Sequence, residues 1–141
     1  MALETLHPMV IHFPIALLLT AFLFETVALV CRVPALHRIA FWNLILGMWG
    51  TLAAVITGGM ATLSVRVSGP SRSVLWAHEL LGCVAFALAA VAGSWHLAVG
   101  SAMPRPARWM AWGVLGLACA VMSVAGYLGG RLVYEFNLVG P

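Results

Sequence analysis

The sequence has very little charge: 8% of its 141 residues are charged and 63% are hydrophobic. A soluble domain carries about a quarter charged residues, so this deficit excludes an ordinary soluble domain and indicates an integral membrane protein. Lysine is absent, and the seven arginines leave a net charge of only +3. Such a small and scattered charge gives no indication of nucleic-acid binding.

Several motifs of known chemistry are also missing. The three cysteines, Cys31, Cys83 and Cys119, form neither C-x-x-C nor C-x-x-C-H, which argues against covalently attached haem. All three fall in or beside apolar segments, as small buried hydrophobic residues do. There is no Ser-His-Asp arrangement, phosphate-binding loop or metalloprotease helix, so the sequence does not support hydrolytic chemistry.

Long apolar runs are what the sequence does contain. Four segments, at about residues 9–30, 39–63, 74–99 and 109–133, reach the length of about 20 residues that a helix needs to cross a bilayer core. The loops between them are short, so neighbouring helices must be antiparallel. The sequence therefore predicts an all-α fold: an integral membrane four-helix up-down bundle that forms a single transmembrane domain over residues 1–141.

The two predicted helical hairpins carry the same features in the same places. Each has a histidine near the start of its first helix and a glycine pair near the end of its second helix: His12 with Gly58 and Gly59, and His78 with Gly129 and Gly130. This similarity predicts two pseudo-repeated hairpins, with His12 aligned on His78. Because the helices run up and down, all of these features should lie on one side of the membrane.

The two histidines are candidate metal ligands. An ionisable residue inside a membrane span is a functional candidate by default, although an interfacial histidine can also simply bond a loop carbonyl. Neutral imidazole suits haem iron, copper and zinc, and only two strong ligands are offered here. Two ligands fit the axial positions of a haem better than the four positions of zinc. We therefore predict that His12 and His78 bind one haem b.

Other residues on the same side fit such a site. The glycine pairs would leave room for the edge of a macrocycle, although helix packing is an alternative explanation for them. Arg131 is a candidate partner for haem propionates, unless it only extends to the lipid headgroups. His7 could support a ligand, act as a third one or be solvated. A second haem between His37 and His96 is disfavoured, because neither histidine has a glycine pair nearby.

Arginine placement predicts the orientation in the membrane. We call the side with both termini and the loop around residues 64–73 side A, and the opposite side B. Side B carries Arg32, Arg38, Arg105 and Arg108, and side A carries Arg66, Arg72 and Arg131. The excess on side B favours its placement in the cytoplasm. The expected location is a bacterial inner membrane, with both termini in the periplasm.

Three segments resemble a known family. They are residues 6–16 (LHPMVIHFPIA), 78–82 (HELLG) and 129–134 (GGRLVY). The sequence resembles a family of small bacterial membrane proteins known as domain of unknown function 2231, over essentially its whole length. Ile11 stands where valine is usual in that family. The resemblance implies a four-helix membrane protein that is sometimes joined to, or encoded with, electron-transfer modules. It therefore implies a function in electron transfer.

These observations lead to one main hypothesis and two alternatives. The main hypothesis is a membrane electron carrier, rather than a stand-alone enzyme, that exchanges electrons with quinone or a membrane enzyme and with a periplasmic cytochrome. The first alternative is a cofactor-free accessory subunit of a larger respiratory or photosynthetic membrane complex. The second is a copper-handling membrane protein, in which Met9 and Met60 would join the histidines of side A.

Overall fold

The protein folds into four long α-helices in the computed structural model, which describes residues 3–63, 65 and 67–138. The helices are α1 (Leu3–Cys31), α2 (Pro34–Thr62), α3 (Pro70–Val99) and α4 (Arg105–Tyr134), with a short 3₁₀ turn at Gly100–Ala102 before α4. No strand occurs in the described ranges. The predicted all-α four-helix bundle is confirmed.

All four helices are long and apolar enough to cross a membrane. Each has 29 or 30 residues, so each is about 44 Å long and exceeds a hydrocarbon core of about 30 Å. The last three helices begin four or five residues before the predicted apolar segments. A proline stands in the first turn of each of these helices, where its missing N–H removes no helical hydrogen bond.

The outer surface of the bundle is apolar. Large hydrophobic side chains are exposed along every helix, including Phe13, Trp49, Trp76 and Leu117. In a soluble protein such a surface would be an aggregation hazard, whereas lipid tails solvate it well. The helices therefore place their apolar faces against the bilayer.

Helix packing sets which helices face each other across the bundle. Within each hairpin the two helices pack closely, α1 on α2 and α3 on α4, while the hairpins meet through α2 with α3 and α1 with α4. Consequently α1 and α3 lie on one diagonal of the bundle, and α2 and α4 lie on the other. Side chains that α1 and α3 direct inward can meet at the bundle axis.

The two hairpins repeat with a constant shift of 71 positions. Pairs of core residues obey this shift and are all buried: Leu18 and Ala89, Ala21 and Ala92, Ala40 and Ala111, Leu44 and Leu115. The shift aligns His7, rather than His12, on His78. The alignment of His12 with His78 that the sequence predicted is therefore wrong in register by five residues, because it followed the apolar segments instead of the inward helix faces.

The inward face of α1 follows a spacing of three and four residues. It contains the buried residues Pro14, Leu18, Ala21, Glu25 and Ala28, and the same spacing continued towards the N-terminus passes through Ile11 and His7. The corresponding face of α3 contains His78, Gly82, Ala85, Ala89, Ala92 and His96. His12 is one residue beyond Ile11, about 100° around the helix and off this face.

Packing is tight in the middle of the bundle and looser at side A. The main buried cluster includes Leu18, Leu44, Met48, Ala89 and Leu115. Towards side A, by contrast, no described side chain of α1 before residue 14, of α2 after residue 51 or of α3 between residues 71 and 85 is fully buried. On α4, by contrast, Ala125 and Leu132 are buried at this end, so side A is partly covered where the histidine and glycine pattern lies.

Candidate functional site

Two histidines meet at side A across the bundle diagonal. His7 of α1 and His78 of α3 are both half-buried. Their ring centroids are 6.0 Å apart, and the ring planes are nearly perpendicular at 82°. One ring comes from each hairpin, so the pair forms only when the two hairpins pack together.

A glycine on the neighbouring helix makes room for each ring. A Cβ placed on Gly58 would lie 3.0 Å from Cε1 of His7, and one placed on Gly129 would lie 2.9 Å from Cε1 of His78. Carbon atoms pack comfortably at about 3.5–4.0 Å, so any larger residue would push the ring away. Gly58 and Gly129 are also related by the shift of 71 positions, which makes the two ring environments equivalent.

The second glycine of each pair has no such role. A Cβ on Gly59 or on Gly130 would meet nothing within 4 Å. The sequence predicted that all four glycines would accommodate a macrocycle edge. In the structure, the space at Gly58 and Gly129 accommodates the histidine rings themselves.

Hydrogen bonding determines the tautomer of His78. Its Nδ1 lies 2.8 Å from the backbone carbonyl oxygen of Ala125 on α4. A carbonyl can only accept, so Nδ1 must donate its proton. In the neutral ring the lone pair is then on Nε2, which is the atom that could bind a metal.

His7 adopts the same tautomer, with the hydroxyl oxygen of Thr57 as the acceptor. Its Nδ1 lies 3.2 Å from Oγ1 of Thr57. Thr57 directs its own hydroxyl proton to the carbonyl oxygens of Ala53 and Ala54, at 2.9 and 3.1 Å. The hydroxyl oxygen must therefore accept from Nδ1 of His7, which leaves the lone pair on Nε2.

Nε2 of His7 is buried and has no hydrogen-bond partner in the described part of the chain. Ala54, one of the residues whose carbonyls accept from Thr57, corresponds to Ala125 by the shift of 71. A buried nitrogen without a partner is unfavourable and rare in proteins. Together with the oriented ring, it makes Nε2 of His7 a candidate ligand atom.

The arrangement can be compared with what a metal would require. A metal-bound histidine usually donates its other ring nitrogen to a carbonyl or similar acceptor, as both rings do here. Two imidazoles bound through Nε2 on opposite sides of one metal, at about 2 Å each, would have centroids roughly 6 Å apart. In the described ranges no group of three or more His, Cys, Asp or Glu could hold a metal. The described histidine pair thus offers two ring nitrogens, fewer than the four ligands of a structural zinc site.

His12 is not brought near His78. It is exposed, and its Nδ1 donates to the carbonyl oxygen of Pro8, one turn earlier in its own helix, at 2.7 Å. Its position off the inward face of α1 is the reason. The spacing of three and four residues through Pro14, Leu18 and Ala21 would have selected His7 from the sequence.

Arg131 is paired at the end of its own helix. Its Nε donates to Oε2 of Glu135, the residue directly after the end of α4, at 2.8 Å. On α3, Glu79 accepts a hydrogen bond of 2.6 Å from Thr62 of α2, so this carboxylate links the two hairpins. Of the other two side A arginines, Arg72 is exposed and Arg66 lies outside the described residues.

The remaining candidate ligands are dispersed. Met9 and Met60, which a copper site would need, are both exposed on the outside of the bundle. At side B, His37 is bonded to Glu25 at 2.9 Å. His96 donates from Nδ1 to its own helix at Ala92, also at 2.9 Å. His37 and His96 thus have separate partners and share no third ligand of the His, Cys, Asp or Glu type within the described residues.

Fold and comparison together define the class of this protein. Four apolar helices of sufficient length make it a multi-pass integral membrane protein. The chain belongs to the predicted membrane protein family DUF2231, whose family model matches residues 3–139. No curated protein and no solved structure matches it.

Proposed function

We propose that the protein is a membrane electron carrier that binds one haem b, with His7 and His78 as the axial ligands. The observation that carries the proposal is that the two rings, one from each hairpin, lie close together with centroids 6.0 Å apart. In each ring Nδ1 is hydrogen-bonded to an acceptor. His7 replaces His12 of the initial hypothesis, because His12 is exposed and bonded within its own helix.

The protein residues supply orientation and coordination. The carbonyl of Ala125 and the hydroxyl of Thr57 fix the rings, so that neither histidine has to reorganise to offer Nε2. Gly58 and Gly129 keep the rings close to α2 and α4. When bound, a haem supplies one-electron chemistry at its iron. With both axial positions taken by histidine, no position is left for a substrate, which favours electron transfer over catalysis.

One position beside the pair is open. Gly82 lies one turn after His78 on the same face of α3, and a Cβ there would meet nothing within 4 Å. The side A half of the bundle has few fully buried side chains. To bind there, a large planar group would have to displace the atoms that now cover Nε2 of His7.

We further propose that side A faces the periplasm of a bacterial inner membrane. Four arginines lie on side B and three on side A, which favours side B in the cytoplasm. The haem would then lie near the periplasmic surface, where it could exchange electrons between quinone or a membrane enzyme and a periplasmic cytochrome.

The test is the spectrum of the purified protein, before and after reduction with dithionite, followed by a pyridine haemochrome assay. The expected result is a b-type spectrum that is lost in His7→Ala and in His78→Ala. His12→Ala is the matched control: it removes an imidazole five residues away on the same helix and should retain the full haem content.

Other results would reject the proposal. Haem retained in full by His78→Ala would remove the ligand assignment. A colourless wild-type protein from haem-replete cells would favour the accessory-subunit hypothesis, and copper without iron in metal analysis would favour the copper hypothesis.

A further inference from the structure

The opposite end of the bundle has a groove between the two hairpins. Its volume is about 310 Å³, near the lower limit of about 300 Å³ for small-molecule sites. The groove is lined by the end of α1, the start of α2 and the start of α4, so both hairpins contribute to it.

The groove combines a cationic rim with an apolar floor. Arg32, Arg105 and Arg108 form the rim. The floor consists of side chains that are almost fully buried: Ala28, Leu29 and Met103. Nε of Arg108 donates to the carbonyl oxygen of Met103 at 3.1 Å, so this hydrogen bond connects the rim with the floor. A ligand that matches this surface must be anionic at one end and apolar at the other.

Within the part of the chain that the structure describes, no salt bridge balances the positive charges of Arg32 and Arg105. Glu25 is the carboxylate nearest to the groove lining, but it is 3% exposed and is bonded to His37 at 2.9 Å. Neither Arg32 nor Arg105 has a salt bridge to an acidic side chain among the residues that the structure describes. Guanidinium groups without acidic partners readily bind phosphate through paired hydrogen bonds.

Two helix starts add to the attraction for an anion. The first residues of α2 and α4, Pro34 and Arg105, both line the groove. Neither helix has a side-chain cap at its N-terminus. The partial positive charges of both helix ends therefore add to those of the three arginines.

The backbone also holds Arg32 at the rim. Arg32 has a φ of 58° in the two-residue connection between α1 and α2. Residues other than glycine rarely adopt this conformation, which disfavours most side chains. Arg32 occupies the corner where α1 turns into α2 and lines the groove there.

We propose that this groove binds the phosphate headgroup of an anionic phospholipid. The arginines hold the phosphate, and the glycerol and upper acyl chains lie on the floor of Ala28, Leu29 and Met103. The groove lies at the end of the membrane spans, at the level of lipid headgroups, where basic pockets between helices bind such lipids. A lipid bound there would connect the two hairpins at the end opposite to the histidine pair.

The experiment is native mass spectrometry of the full chain in detergent, with phosphatidylglycerol and phosphatidylcholine in competition. The wild-type protein should retain phosphatidylglycerol preferentially. Arg32→Gln and Arg105→Gln should each weaken its binding about fivefold, and the triple change that includes Arg108→Gln roughly 100-fold. Arg38→Gln is the matched control, because Arg38 lies on the same side but does not line the groove.

Three outcomes would overturn the proposal. They are equal retention of the two lipids, equal loss in Arg38→Gln and the groove variants, and complete displacement of the lipid by millimolar inorganic phosphate. The last of these would assign the site to a soluble phosphate compound. The single variants keep the test decisive if the triple variant fails to fold, and circular dichroism of each variant checks its helix content.

Discussion

Gly129→Ala tests the contact that places His78. The new Cβ would lie 2.9 Å from Cε1 and 3.3 Å from Nδ1 of the ring, whereas carbon atoms need about 3.5 Å or more. The ring would have to move by roughly 0.6 Å to restore that distance. It is held by a hydrogen bond of 2.8 Å to the Ala125 carbonyl, and the same movement would stretch this bond beyond its favourable range.

The magnitude follows from three contributions. Overpacking costs about 1–3 kcal/mol, and the weakened hydrogen bond costs about 1 kcal/mol. Replacing glycine by alanine inside a helix returns about 1 kcal/mol. We therefore expect the free energy of unfolding to fall by about 1–3 kcal/mol.

Gly130→Ala provides the control within the same glycine pair. A Cβ on Gly130 meets nothing within 4 Å, so only the helix propensity changes, and the variant should be as stable as the wild type or more stable by up to about 1 kcal/mol. The assay is thermal unfolding in detergent followed by circular dichroism, with the haem-to-protein ratio measured alongside. Equal stability of the two variants would refute the contact between His78 and Gly129, whatever the haem content.

Three further predictions concern other contacts. Gly58→Ala should displace the other ring in the same way and lower the free energy of unfolding by about 1–3 kcal/mol, because its Cβ would lie 3.0 Å from Cε1 of His7; an unchanged unfolding midpoint would contradict this contact. Trp112→Phe should lower the free energy of unfolding by about 1 kcal/mol, because it removes the indole N–H that donates to Thr26 at 2.8 Å; the Trp49→Phe variant, at an exposed position, serves as control in the same denaturation series. Glu25→Ala should lower the free energy of unfolding by about 2–4 kcal/mol, because it leaves a cavity at a site that is 3% exposed and removes the acceptor of His37. An unchanged unfolding midpoint would show that this carboxylate is not buried.

The site was only partly predictable from the sequence. The relevant side, His78 and the two glycine-bearing helix ends were all identified from their positions. His12 was chosen over His7 because the apolar segment begins at Met9, which makes His7 look like a residue outside the span. The helix begins at Leu3 instead, so His7 is helical and points inward.

Nothing in the sequence indicated which groups accept hydrogen bonds from the two histidine rings. Ala125 acts through its backbone carbonyl, which every residue has. Thr57 could have been noticed beside Gly58, but its role depends on its hydroxyl proton being directed to the carbonyls of Ala53 and Ala54. Such roles depend on which groups are near each other, and only packing decides that.

By itself the sequence determined the class of structure. In a bilayer core every backbone N–H and C=O must be satisfied within the segment, so four long apolar runs with short, proline-marked breaks can form little other than four antiparallel helices. The tertiary structure decided which faces of those helices turn inward. A change of one residue rotates a side chain by about 100°, so the choice of His7 over His12, and the meeting of three arginines from two hairpins in one groove, follow from how the helices pack.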